Sequence, residues 1–171
     1  FAYILVYISN NYRKIEMLDA FDRKILDLLQ RDASLSVAEI ADKVGLSTTP
    51  CWRRIRNLED AGVIRGRVAV LDPVSLNIGV TVFVGVKAGR HAADWLQTFA
   101  AAVQDIEEVT EVYRLSGEID YLLKIVVPDI AAYDDVYKRL IKKTDFADVS
   151  SFFSMEEIKS TNVLPLKYAG V

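Results

Sequence analysis

The stretch LSVAEIADKVGLSTTPCWRRIRNLEDAGV, Leu35 to Val63, constrains the fold most, because it packs two complete helix signals around a break of three residues. Ser36 stands where an N-cap belongs and Glu39 follows three residues later, the reciprocal capping pattern. Val37, Ile40, Ala41 and Val44 then form an inward face, and Gly45 ends the run. Ser47 can cap the next helix, with Pro50 in its first turn, where a missing N–H costs little. Cys51, Ile55 and Leu58 fall at i, i+4 and i+7, and Gly62 stops the helix. Upstream, LDAFDRKILDLLQRD (Leu18 to Asp32) offers Asp19 as a cap and Phe21, Ile25, Leu28 and Leu29 as an apolar stripe. Three short helices, the last two joined by a tight Gly-containing turn, predict a helix-turn-helix domain over residues 17–67.

At about 100° per residue, the side of the third helix opposite its apolar stripe carries Arg53, Arg56, Asn57 and Asp60, with Trp52 and Arg54 on the flanks. VIRGRVAVLD follows, and its alternation predicts a short hairpin turning at Gly66 with Arg65 and Arg67 beside the turn, a winged-helix-like addition. The whole chain carries net charge −3, but residues 17–67 hold nine Lys/Arg against eight Asp/Glu, and residues 68–171 hold ten against fifteen. Cations are therefore local, and an acidic protein can still meet a polyanion if its negative charge sits on another domain. A major groove admits one α-helix, Arg reads guanine, Asn reads adenine, and hydroxyls or N-terminal amides grip phosphate. Double-stranded DNA is the expected partner. Arg53, Arg56 and Asn57 face the bases, Ser47, Thr48, Thr49, Arg65 and Arg67 face the backbone, and Trp52 on the flank belongs to the same DNA-binding surface. The plainer alternative is a solvated helix face with Glu59 and Asp60 balancing the arginines; helix order, turn length and the basic hairpin favour DNA.

Beyond DPVSLNIG, read with the hairpin end as a linker over residues 68–79, the pattern changes. VTVFVGV (80–86) reads as a strand. HAADWLQTFAAAVQDI reads as a helix with Ala92, Leu96, Phe99 and Val103 inward. VTEVYRL and DYLLKIVV are two strands. DIAAYDDVYKRLIKKT is a helix facing inward through Ile130, Tyr133, Tyr137, Leu140 and Ile141, and VSSFFSMEEI is a last strand. The order β-α-β-β-α-β predicts a ferredoxin-like sandwich over residues 80–166, so the fold class is α+β. Both helices would cover one sheet face, and the open face, bearing Val, Phe and Leu, predicts self-association.

Catalysis finds little support. One His, one Cys and no nucleophile elbow, phosphate loop or paired metal-binding histidines leave no enzyme chemistry and no metal or cofactor expected. His91 reads as a cap or surface residue, and Cys51 as core packing. Glu107/Glu108 and Asp134/Asp135 read as solvated acids. A lone Cys fits a reducing cytoplasm. The apolar run in residues 1–16 ends at Ile8, short of a membrane span, and is read as an upstream leader or extension, with Met17 as the natural start.

For a small ligand, RLSGEIDYLLK is the candidate loop. Gly117 can adopt φ > 0 and present backbone N–H groups to an anion, while Asp120 could pair with an ammonium. These suit the two ends of an amino acid, although the same residues also make an ordinary hairpin turn.

Taken together, VGLSTTPCWRRIRNLEDAGVIRG, SGEIDYLLKIVVPD and MEEIKSTN resemble the Lrp/AsnC (feast/famine) family of transcriptional regulators, in order from about Leu18 to Leu166. The resemblance rests on the T-P-C helix start, on Arg54, Arg56, Leu58, Glu59, Gly62, Ile64 and Gly66, and on Gly117 with Asp120 to Lys124. It implies a DNA-binding regulator whose assembly or DNA affinity responds to an amino acid such as leucine or methionine. It also implies homodimers joined through the open sheet faces and assembling to octamers. Its effector pocket would lie between dimers, built from Ser116, Gly117, Glu118 and Asp120 with the last strand around Phe153 and Ser154. The rival class is a ligand-binding regulatory subunit of an amino-acid metabolic enzyme; it leaves the three N-terminal helices unexplained.

Overall fold

The computed structural model describes residues 18–89 and 93–169; the leader read over residues 1–16, the start at Met17, and His91 and Ala92 lie outside them. The chain divides into two compact units, one running through Ala69 and taking up the chain again from Ser160, the other Val70–Lys159. The sequence reading carried the second domain on to 166.

In the first unit, α1 (Ala20–Arg31), α2 (Val37–Val44) and α3 (Thr48–Asp60) form as their caps dictate. Asp19 Oδ1 accepts from the backbone N–H groups of Phe21 and Asp22 at 2.8 and 2.9 Å, and Asp22 Oδ2 accepts from Asp19 N–H at 3.2 Å. Ser36 and Glu39 make the second reciprocal box, with Glu39 Oε2 accepting from Ser36 N–H at 2.8 Å. Gly45 (φ 76°) and Gly62 (φ 72°) end α2 and α3 in the left-handed region, where only glycine is unstrained. Helices this short are marginal alone. They are held by a shared core of Ile25, Leu26, Leu29, Ile40, Ala41, Val44, Cys51, Ile55 and Leu58, all buried. The C-terminal segment closes onto this unit. Leu166, in a 3-10 turn (Leu166–Tyr168), packs against the core, and Gln30 brackets the Leu164 peptide, accepting from its N–H at 2.8 Å and donating to its carbonyl at 3.2 Å.

The expected wing hairpin does not form. Residues 65–72 pair with no strand among the described residues, and Val68 and Val70 stand 83% and 78% exposed. Gly66 is not among the glycines with positive φ, so it does not make the mirror-image turn that matches strand twist in a two-residue hairpin. Arg67 is instead drawn to Glu59 of α3 at 3.1 Å.

In the second unit, β1 (Val80–Ala88), α4 (Ala93–Gln104), β2 (Val109–Arg114), β3 (Tyr121–Val127), α5 (Ile130–Lys143) and β4 (Phe146–Phe153) follow the expected β-α-β-β-α-β order. The antiparallel sheet runs β2-β3-β1-β4, with Val82 opposite both Ile125 and Phe153, and Val86 opposite both Tyr121 and Val149. Val82, Val84, Val86, Leu123, Ile125 and Val127 turn to the helices and build the core with Phe99, Ile106, Tyr133, Val136 and Leu140. Two helix faces are rotated from expectation. Leu96, Ile130 and Ile141 are 40%, 69% and 43% exposed, and Phe99 with Ala102, and Val136 with Tyr133 and Leu140, point inward. Trp95 stacks on Phe99 with ring centroids 5.1 Å apart, and that aromatic pair decides the roll of α4. β4 also begins earlier than expected and stops at Phe153; Met155 and Ile158 are almost wholly exposed. Phe83 and Phe152 are partners across β1 and β4, and both are exposed on the sheet face away from the helices.

Candidate nucleic-acid interface and ligand loop

Cys51, Ile55 and Leu58 are buried, so α3 is anchored along one stripe and its other side is free. Ser47, Thr48, Thr49, Arg53, Arg56 and Asn57 are all exposed, as is Trp52 at 54%. The helix starts at Ser47, whose side chain makes no capping bond, so the first-turn N–H groups and three hydroxyls point toward solvent with the positive end of the helix dipole. The arginines are not equivalent. Arg56 lies 3.8 Å from Glu59 and 3.5 Å from Asp60, and Arg67 pairs with Glu59, whereas Arg53 and Arg65 have no ion-pair partner among the described residues. Arg53 and Asn57 thus have the least to give up on meeting DNA. Arg54 turns inward and grips α1, which helical angles alone did not reveal. Burial pushes the Cys51 thiol above its usual range, as a packing residue requires.

The ligand loop joins β2 to β3. Ser116, Gly117 and Glu118 are exposed, and Gly117 adopts φ 151° with nothing within 4 Å of a hypothetical Cβ. Asp120 is half-buried and locked: its N–H donates to Val86 O at 2.9 Å, its carbonyl accepts from Leu115 N–H at 2.8 Å, and its carboxylate accepts from Ala88 N–H at 2.9 Å. Ile119, not singled out from sequence, lies over Gly85 of β1; its apolar side chain in an otherwise polar loop was the signal. Phe153 and Ser154 are elsewhere. Phe153 meets the Tyr133 ring edge-on at 5.2 Å, and Ser154 N–H donates to Thr81 O at 2.9 Å, at the opposite end of β1 from Asp120. Val82 and Ala88 are six positions apart, roughly 20 Å of strand. One chain therefore does not bring the loop and the end of β4 together. Among the described residues, no group of three or more His, Cys, Asp or Glu could hold a metal ion.

Residues 18–65 match the family model described as a winged helix-turn-helix DNA-binding domain, and residues 81–164 that of the Lrp/AsnC ligand binding domain. The chain belongs to the Lrp/AsnC family. It is 52% identical to a glutamate uptake regulatory protein of Zymomonas mobilis, over 89% of this chain and 93% of that one. An AsnC family transcriptional regulator from Agrobacterium tumefaciens superposes with TM-score 0.85 at 59% identity, covering 88% of this chain and 98% of that one. The L-Met complex of a transcriptional regulator from Neisseria meningitidis superposes with TM-score 0.83 at 40% identity, covering 88% and 97%. As an Lrp/AsnC member the chain is a DNA-binding transcriptional regulator with a ligand-binding domain, in a family of regulators rather than enzymes. Nothing favours the enzyme-subunit alternative, which has no use for an exposed α3. Among the described residues, no helix is long and apolar enough to cross a membrane.

Proposed function

We propose that the protein is a cytoplasmic, amino-acid-responsive regulator that reads operator DNA with α3 as a homodimer or a larger, octameric assembly. The observation that carries this reading is the free face of α3, with Arg53 and Asn57 exposed and Arg53 unpaired among the described residues. In a dimer, two such helices enter successive major grooves about 34 Å apart, with Arg53, Arg56 and Asn57 at the bases and Trp52 on the flank of the same surface. Ser47, Thr48, Thr49, Arg65 and Arg67 hold phosphates on either side. The effector is an amino acid: the Ser116–Gly117–Glu118 backbone receives its carboxylate, and the free oxygen of Asp120 its ammonium. Because Phe153 and Ser154 lie at the far end of the sheet, they complete the pocket only from a second copy. Ligand binding and assembly are then linked, since the ligand prefers the state that forms its site.

The test is titration of operator DNA, isolated by selection from genomic fragments, with the full chain in the presence of each amino acid in turn, alongside sedimentation. One or a few amino acids should shift both DNA affinity and the sedimenting species. A chain that binds DNA with no response to any amino acid refutes the effector assignment.

A further inference from the structure

Of the three arginines on α3, Arg54 alone is tied to another helix. Its Nη1 lies 2.7 Å from Asp19 Oδ2 and 2.7 Å from Asp22 Oδ1, and its guanidinium carbon stands 5.4 Å over the Phe21 ring. Both carboxylates are already fixed by the cap of α1. Asp19 spends Oδ1 on the N–H groups of Phe21 and Asp22 and offers Oδ2 to Arg54; Asp22 spends Oδ2 on Asp19 N–H and offers Oδ1. The cap that starts α1 thus builds a rigid two-carboxylate socket. Asp22 is 16% exposed and Arg54 32%, so solvent screens this cluster only in part. The Phe21 ring, exposed at 37% and left outside the core, is covered by the guanidinium.

Apolar contacts through Cys51, Ile55 and Leu58 set how closely α3 sits on its neighbours, but such burial is non-directional and leaves the roll of the helix about its stripe weakly specified. A charge-assisted contact from one guanidinium nitrogen to two fixed carboxylates, on the flank of the stripe, supplies the missing direction. Arg53 is the preceding residue, about 100° around the helix, and Asn57 lies three beyond Arg54. We propose that Arg54 is a positioning residue for DNA recognition: seated in the Asp19–Asp22 socket, it sets the roll of α3 that aims Arg53 and Asn57, and it does not itself contact DNA.

The experiment uses the full chain and a fixed operator. Affinity is measured well below the unfolding temperature and across a salt series, for Arg54→Ala, Arg54→Lys and Asp22→Asn. Removing an acid near a DNA-binding surface ordinarily strengthens binding. The positioning role predicts the reverse: Asp22→Asn and Arg54→Ala each weaken operator binding by roughly tenfold, as expected for losing a charged hydrogen bond. The slope of log affinity against log salt stays at the parent value, and Arg54→Lys recovers part of the loss. Three results would overturn the proposal. One is a slope reduced by about 0.9 in Arg54→Ala, the mark of a lost phosphate contact. Another is unchanged or tighter binding in Asp22→Asn. The last is a fall in unfolding temperature with affinity intact in all three variants, which makes the cluster a matter of stability alone.

Discussion

The Asp120 carboxylate accepts a hydrogen bond from the backbone N–H of Ala88 at 2.9 Å, at the point where the β1–β4 register slips between Lys87 and Ala88. Ala88 lies past the last β1–β3 pair, Val86 with Tyr121, and the loop carboxylate takes its N–H, so Asp120 holds the loop to β1 with one oxygen and leaves the other for the proposed ligand. Asp120→Asn keeps a cap of the same shape and removes the charge. Calorimetry should show the amino-acid affinity falling by about 1.5–3 kcal/mol, the range for a hydrogen bond to a charged partner, with the unfolding midpoint little changed. Binding equal to the parent would mean that the carboxylate serves the backbone only.

Gly85 ties the loop to the sheet face proposed for self-association. A Cβ there would lie 3.2 Å from Ile119 Cδ1, 3.3 Å from Ile119 Cγ2 and 3.7 Å from Phe152 Cε2. Gly85→Ala therefore crowds Ile119 of the loop and adds only an ordinary contact to Phe152 on the self-association face, at roughly 1–3 kcal/mol for overpacking. Sedimentation should show a weaker dimer, and calorimetry a weaker ligand. A change in neither separates the loop from assembly.

The caps set the acid limit of the first unit. Glu39 is held below the usual carboxylate range by the Ser36 hydroxyl and then the Ser36 backbone N–H. Asp19 is held down by the Asp22 backbone N–H, against a smaller effect of burial, and then by Arg54. A carboxyl depressed by folding stabilises above its unfolded pKa and loses that contribution as pH falls through the folded value. The unfolding midpoint should stay level from pH 7 to about 5 and drop below about pH 4. Ser36→Ala should cost roughly 1 kcal/mol at neutral pH and shift Glu39 back toward its ordinary range, seen by carboxyl NMR titration.

Much of this was legible because it is local. Asp19, Ser36, Gly45 and Gly62 declare helix ends through their own hydrogen bonds and dihedrals, and the β-α-β-β-α-β order follows from periodicity. The failures are tertiary. Leu96, Ile130 and Ile141 fit an apolar stripe as well as their neighbours do, and only the packing of Trp95, Phe99 and Val136 decides the roll. The hairpin expected after α3 failed because alternation does not supply the turn that Gly66 declines to make. At the site, exposure of the α3 face came from helical angles alone. The inward grip of Arg54, by contrast, needed the cap of a helix 32 residues away, and the separation of Asp120 from Phe153 needed the strand register.

The most direct test of α3 as the reading helix is operator affinity and base preference of Arg53→Ala and Asn57→Ala in the full chain, by fluorescence anisotropy against the operator and its single-base variants. Each should lose about 1–3 kcal/mol and relax preference at one base position, with the unfolding midpoint unchanged. If both variants keep parental affinity and parental base preference, α3 does not read DNA in this protein.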